Sequence, residues 1–161
     1  MARSVTRVFV VDDCEPWRKF YSKVLGKQPH LQVIGYASDG SEAVQRAAEL
    51  QPDLILMDIA LPTLNGIDAV RKIRELAPTC KILFVSQNRC LDVVEKALSA
   101  GAEGYLIKED AGCNLLAAIK LVLRDKRFLS ASLADHFLVA TALSGSQIVL
   151  SWAVTLISGI H

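Results

Sequence analysis

The sequence predicts an α/β fold, a doubly wound parallel sheet with helices on both faces, and three observations predict it. Across residues 5–125 a short β-rich run followed by a segment of helical spacing recurs five times. Several of the runs are apolar without alternation, as expected of strands covered on both faces. Helix caps and breakers stand where the two periodicities change over. Strands that alternate with helices imply right-handed crossovers, and hence parallel pairing.

The five strands are expected at Val5–Val11, Leu31–Ala37, Leu54–Met57, Lys81–Val85 and Gly104–Ile107. Helical spacing lies between them. Ala43, Val44, Ala47, Ala48 and Leu50 mark one face of Ser41–Leu50, and Leu64, Ile67, Val70, Ile73 and Leu76 recur through Leu64–Leu76. Leu91–Ala100 shows Leu91, Val94, Ala97 and Leu98, and a last helix from Ala111 to Arg124 carries Leu115, Leu116, Ile119 and Val122. Asp39-Gly40-Ser41 opens the first of these helices and Pro52 closes it. Pro78 follows the second, and Gly101 ends the third.

Composition bounds the function. The chain has 161 residues, enough for one domain and an appendage, and 52% of them are hydrophobic. With 18 basic and 17 acidic residues the net charge is +1, so no global basic surface argues for nucleic acid. No charged amino-terminal segment leads into an apolar run, and the chain reads as cytoplasmic. Cys14, Cys80, Cys90 and Cys113 are too scattered for a zinc or disulfide framework and read as reduced thiols in or near the core.

In an open parallel sheet the reactive groups gather at the carboxyl ends of the strands. Here the residues in that position are Asp12-Asp13, Asp58, Ser86 and Lys108, while the second strand offers nothing comparable. Three carboxylates in one crevice repel one another, each pair by on the order of 4 kcal/mol at ~4 Å and an effective dielectric of ~20. They persist ionised only beside a cation, and oxygen ligands favour Mg²⁺, with Mn²⁺ as a substitute. A metal and an ammonium beside a nucleophilic carboxylate suit phosphoryl transfer to Asp58, with Ser86 bonding a phosphoryl oxygen. A strand-end aspartate is often only a turn-former, a serine a helix cap and a lysine solvated. Four such coincidences at four strand ends are rejected.

The stretches VFVVDDCEPWR, LILMDIALPTLNGID, ILFVSQN and GYLIKED resemble the receiver domain of two-component response regulators. The resemblance implies a flavodoxin-like sheet of order 2-1-3-4-5 over residues 1–127. It makes Asp58 the acceptor of a phosphoryl group from a sensor histidine kinase or phosphotransfer protein. Asp12, Asp13, Asp58 and the backbone carbonyl of Ala60 become Mg²⁺ ligands, Asp13 more directly than Asp12. Ser86 and Lys108 become the switch hydroxyl and phosphate-binding lysine, and Tyr105 the aromatic that swings inward. Glu109 stands where many receivers have proline, and GYLIKEDAGCNLLAAI looks like the NarL/FixJ subgroup, whose members usually carry a carboxyl-terminal helix-turn-helix. Gln87 replaces the usual small residue after the hydroxyl.

Residues 128–161 do not resemble a helix-turn-helix, and Phe137–Ile160 carries no charge. A recognition helix needs polar and basic side chains, so direct DNA binding is not expected. Ile148, Trp152, Leu156 and Ile160 fit a helical stripe, but the segment also alternates as a strand does, and periodicity does not arbitrate. The favoured reading is an apolar helical extension packed on the receiver or on a second copy, which would favour a homodimer. Membrane attachment stands second and a remnant of a lost effector domain third. The expectation is a phosphorylation-controlled signalling switch, not an enzyme beyond its own self-catalysed phosphorylation and dephosphorylation. An aspartate-nucleophile phosphohydrolase would carry a second acid where Ala60 stands. A phosphorylation-independent scaffold is the remaining rival.

Overall fold

The computed structural model describes residues 5–145 together with Gln147, Ser151 and Trp152. The chain divides between Ile82 and Leu83 into two compact units. The first holds β1 (Thr6–Val11), α1 (Glu15–Gly26), β2 (Leu31–Ala37), α2 (Gly40–Leu50), β3 (Leu54–Met57) and α3 (Gly66–Leu76). The boundary falls within β4 (Lys81–Ser86), and the second unit runs from its last four residues through α4 (Leu91–Ser99), β5 (Gly104–Ile107), a 3₁₀ turn (Lys108–Asp110) and α5 (Ala111–Leu123) to β6 (Phe128–Leu129) and α6 (Ala131–Ser144).

The sheet has six strands in the order β2-β1-β3-β4-β5-β6, not the five expected. β1 pairs in parallel with β2 and β3, and β5 pairs in parallel with β4 and β6. The extra strand is two residues long, too short for any periodicity to register, and it begins the segment read as a linker. It joins because Phe128 and Leu129 fall opposite Gly104 and Tyr105, and the Phe128 amide reaches the Glu103 carbonyl at 3.1 Å.

In the first unit every residue of β3 and the last four of β1 are buried, which accounts for their unbroken apolar character. α1 packs on β1 and β2, and α2 packs against α3. The bounds of α1 did not emerge from periodicity. Pro16 pre-sets its first turn, where a missing amide proton costs nothing. Asp39 and Asn65 cap α2 and α3, accepting from the amides of Glu42 at 2.8 Å and Asp68 at 3.0 Å. In the second unit α4 and α5 pack on β5, and α6 lies against α4. Phe137, Leu133 and Trp152 are buried, and the Arg127 guanidinium lies 4.8 Å from the centre of the Trp152 ring. Ser151 and Trp152 are helical, whereas the other tail residues from 148 on, with their membrane, strand or remnant readings, lie outside the described residues.

Of the cysteines only Cys80 is buried. Cys90 and Cys113 are exposed and Cys14 is intermediate, so core placement holds for one thiol of the four. Cys90 and Cys113 begin or lie near helix starts, where solvent-facing positions are common.

The loop between β3 and α3 depends on glycine. A Cβ on Gly66 would sit 1.9 Å from the Asp58 carbonyl oxygen, and one on Gly40 would sit 1.8 Å from that of Leu64. Both obstacles are backbone and cannot rotate away. Gly66→Ala is therefore expected to destabilise the protein by about 1–3 kcal/mol or more, read as a lowered urea midpoint, whereas Gly112→Ala, with open space at the Cβ position, leaves the midpoint within experimental scatter or raises it.

Candidate functional site

The acids meet because of strand register. Val11 stands opposite Met57 in the parallel β1–β3 ladder, and the next amide, that of Asp58, donates to the Val11 carbonyl at 3.0 Å. The Asp12 amide in turn reaches the Ala37 carbonyl of β2 at 3.1 Å. Asp12 and Asp58 thus emerge side by side from the carboxyl ends of neighbouring strands. One carboxylate oxygen from each of Asp12, Asp13 and Asp58 lies within 4.8 Å of the others. Asp12 is fully buried, Asp58 is 6% exposed, and Asp13 faces solvent.

The donor set fits a hard divalent cation. All three groups offer oxygen, and oxygens sharing an ion at about 2.1 Å lie within ~4.2 Å of one another, a small side-chain adjustment away. Local hydrogen bonds hold the carboxylates in place. Asp58 Oδ1 accepts the Ile59 amide at 2.8 Å, and Asp12 Oδ1 accepts the Cys14 amide at 2.9 Å. Arg18 of α1 donates to the Asp12 carbonyl at 2.8 Å, fixing the acidic turn from outside.

Behind the acids lies Tyr21 of α1, buried against Trp17 and Phe20. Burial pushes its phenol far above the ordinary range, and the charges of Asp12, Asp58 and Cys14 push it further. The Asp58 loop is fastened to α2. Thr63 adopts a left-handed backbone (φ 65°), and its hydroxyl lies 3.1 Å from Asp39 Oδ1 and 3.0 Å from Ser41 Oγ, while the Gly40 amide reaches the Pro62 carbonyl. Ala60 is exposed, two residues beyond Asp58.

Ser86, Tyr105 and Lys108 belong to the second unit. Ser86 ends β4, is 3% exposed, and accepts the Asn88 amide at 3.1 Å, which leaves its own proton to donate. Lys108 follows β5 directly and is 6% exposed, an uncommon depth for an ammonium. Tyr105 is wholly buried, its ring centre 6.1 Å from that of Phe84 and its hydroxyl donating to the Asn88 carbonyl at 2.7 Å.

A sequence model of the response regulator receiver domain matches residues 8–120. The chain belongs to this family. It is 35% identical over 130 residues to the response regulator GacA of Pseudomonas viridiflava, covering 81% of this chain and 61% of that protein. It is 37% identical over 142 residues to the transcriptional regulatory protein LiaR of Bacillus subtilis, covering 88% and 67%. A solved two-component response regulator of the LuxR family from Aurantimonas superposes with a TM-score of 0.78 at 32% identity, covering 82% of this chain and 94% of that one. The response regulator domain of CheB from Thermotoga maritima superposes with 0.69 at 34% identity, covering 74% and 97%. The chain thus spans about three-fifths of its GacA relative. In the Thermotoga maritima methylesterase the match is confined to 34% of the protein. The receiver of a two-component response regulator carries a signalling role, and the proteins it resembles include a LuxR-family response regulator.

Sequence reasoning missed Arg18, Tyr21 and Thr63. Each acts through tertiary contacts or burial that no spacing announces, although Tyr21 stands at an inward helical position of α1.

Two outcomes follow from the geometry. In chelator-treated protein Asp13→Asn relieves repulsion within the cluster and raises the melting temperature, while shrinking the further rise that added Mg²⁺ gives the unmutated protein; differential scanning calorimetry reads both. The folded phenol of Tyr21 holds its proton above the pH at which the unfolded one loses it. Its stabilising contribution is complete below about pH 10 and declines above it by up to about 1.4 kcal/mol per pH unit. Tyr21→Phe flattens that decline in urea titrations between neutral and strongly alkaline pH.

Proposed function

We propose that this receiver accepts a phosphoryl group on Asp58 from the phosphohistidine of a sensor kinase or phosphotransfer protein and thereby changes a protein-binding surface. The observation that carries the reading is the cluster of Asp12, Asp13 and Asp58, with Asp58 delivered to it by the Val11 ladder bond. An Asp58 oxygen attacks phosphorus in line, the donor P–N bond breaks, and its electron pair stays with the imidazole. Asp12, Asp13, Asp58 and the Ala60 carbonyl would hold Mg²⁺, which draws charge from the phosphoryl oxygens when bound. Asp58 Oδ1, already bonded to the Ile59 amide, keeps the carboxylate oriented during the attack.

In this reading Lys108 pairs with the charged phosphoryl group and Ser86 donates its proton to a phosphoryl oxygen. Support comes from their burial at strand ends, where neither a solvated lysine nor an ordinary surface cap would lie. The bond between Tyr105 and the Asn88 carbonyl would then link the switch aromatic to the loop that follows Ser86. The stretch from Phe137 to Ile160 carries no charge, which disfavours DNA contact by that stretch itself.

Incubation with Mg²⁺ and acetyl phosphate is expected to add one phosphoryl mass to the protein and none to Asp58→Asn, by intact mass spectrometry. Lys108→Ala still binds Mg²⁺ but accumulates the adduct on the order of tenfold or more slowly. Adduct formation on Asp58→Asn, or steady phosphate release without an adduct, would overturn the assignment.

A further inference from the structure

We propose that Ser130 is a positioning residue for Lys108 and, through the same side chain, the joint by which the phosphorylation site acts on α6. The inference rests on the role of Lys108 given above. Its basis is a substitution of hydrogen bonds at the end of β6. The Ser130 amide continues the ladder, donating to the Tyr105 carbonyl at 3.0 Å. The Ser130 carbonyl, which in a continuing parallel strand would serve the next amide of β5, turns away instead. It accepts the Leu133 and Ala134 amides at 2.8 and 3.1 Å and so opens α6. The next amide of β5, that of Ile107, is buried and needs an acceptor. It donates to Ser130 Oγ at 2.8 Å.

One residue, itself fully buried, therefore completes the strand with its hydroxyl and starts the helix with its carbonyl. The amide it holds belongs to the residue directly before Lys108. A shift of the lysine backbone toward a phosphoryl group must either stretch that bond or carry Ser130, and with it the first turn of α6. A second, exposed link runs in parallel. Arg89, three residues after Ser86, bonds Glu109 at 2.8 Å and lies 3.4 Å from the Ser132 hydroxyl, which itself lies 3.5 Å from Asp110. Both sides of the switch, the segment after Ser86 and the turn at Lys108, thus touch the start of α6. Val139 and Leu143, exposed on α6, are the apolar groups whose presentation would change.

Hydrogen exchange of residues 131–144, with the adduct measured on the same samples, tests the joint. In the unmutated protein, Mg²⁺ and acetyl phosphate are expected to speed exchange in α6 several-fold, and not in Asp58→Asn. Ser130→Thr, which keeps the hydroxyl, preserves the response. Ser130→Ala forms the adduct on the order of tenfold more slowly and loses the α6 response, whereas Arg89→Ala forms it at the normal rate with a weakened response. If Ser130→Ala does not fold by circular dichroism, Arg89→Ala and Ser130→Thr decide. An adduct on the unmutated protein with unchanged exchange in 131–144 overturns the joint alone, as does a Ser130→Ala protein that matches the unmutated one in both measurements. Absence of any adduct overturns the phosphoacceptor reading, and the joint with it.

Discussion

The bond from the Asp58 amide to the Val11 carbonyl is the constraint on which the acidic site depends. It extends the β1–β3 ladder one residue past the apolar strands and leaves two carboxylates side by side. A slip of one residue would turn Asp58 to the opposite face of the sheet and separate it from Asp12. The register is protected by what precedes it. Val8–Val11 and Leu54–Met57 are all buried, so a slip would have to repack both strands at once. Hydrophobic burial thus holds three carboxylates together, an arrangement whose mutual repulsion a bound cation would relieve.

The same economy governs the loop after Asp58. Its path brings Gly66 into backbone contact with Asp58 and Gly40 into contact with Leu64, so α2 and α3 approach the acid without intervening side chains. Thr63, held at positive φ, converts its hydroxyl into a clasp on Asp39 and Ser41. A β-branched residue in that conformation is strained, and the clasp offsets the strain. Asp39 caps α2 while accepting from Thr63, so one carboxylate orders both a helix start and the neighbouring loop.

What could be read from the residues was what repeats or punctuates. The Asp12-Asp13 pair and Asp58 were legible because each stands at the end of an apolar run, and parallel pairing sends such ends to one edge. Asp39 was legible at a helix start by residue type, whereas Asn65, placed inside the helix expected from Leu64, proves to be its cap, with α3 beginning at Gly66. β6 was not legible, because two residues carry no period and its pairing is decided by Gly104 and Tyr105, far back in the chain. Thr63 was hidden for the opposite reason, since its type argues against the conformation that the loop imposes. The tail defeated periodicity where helix and strand patterns coincide. The packing of Trp152 under Arg127 and the bond from Arg127 to Ser151 are tertiary facts that no local pattern contains.

Ser130 shows how a sheet edge can hand a signal to a helix without a hinge. A strand that ended in an alanine would leave the Ile107 amide buried and without an acceptor, or would have to continue and forbid the helix. A hydroxyl permits both, because it supplies a second acceptor on the residue whose carbonyl has been withdrawn. Such a residue cannot move independently of either neighbour: its amide is committed to Tyr105, its side chain to Ile107, and its carbonyl to α6. Tyr105 and the residue before the lysine are therefore both bonded to it. Any displacement of β5 at its carboxyl end reaches the first turn of α6 within three hydrogen bonds, whatever follows that helix in the chain.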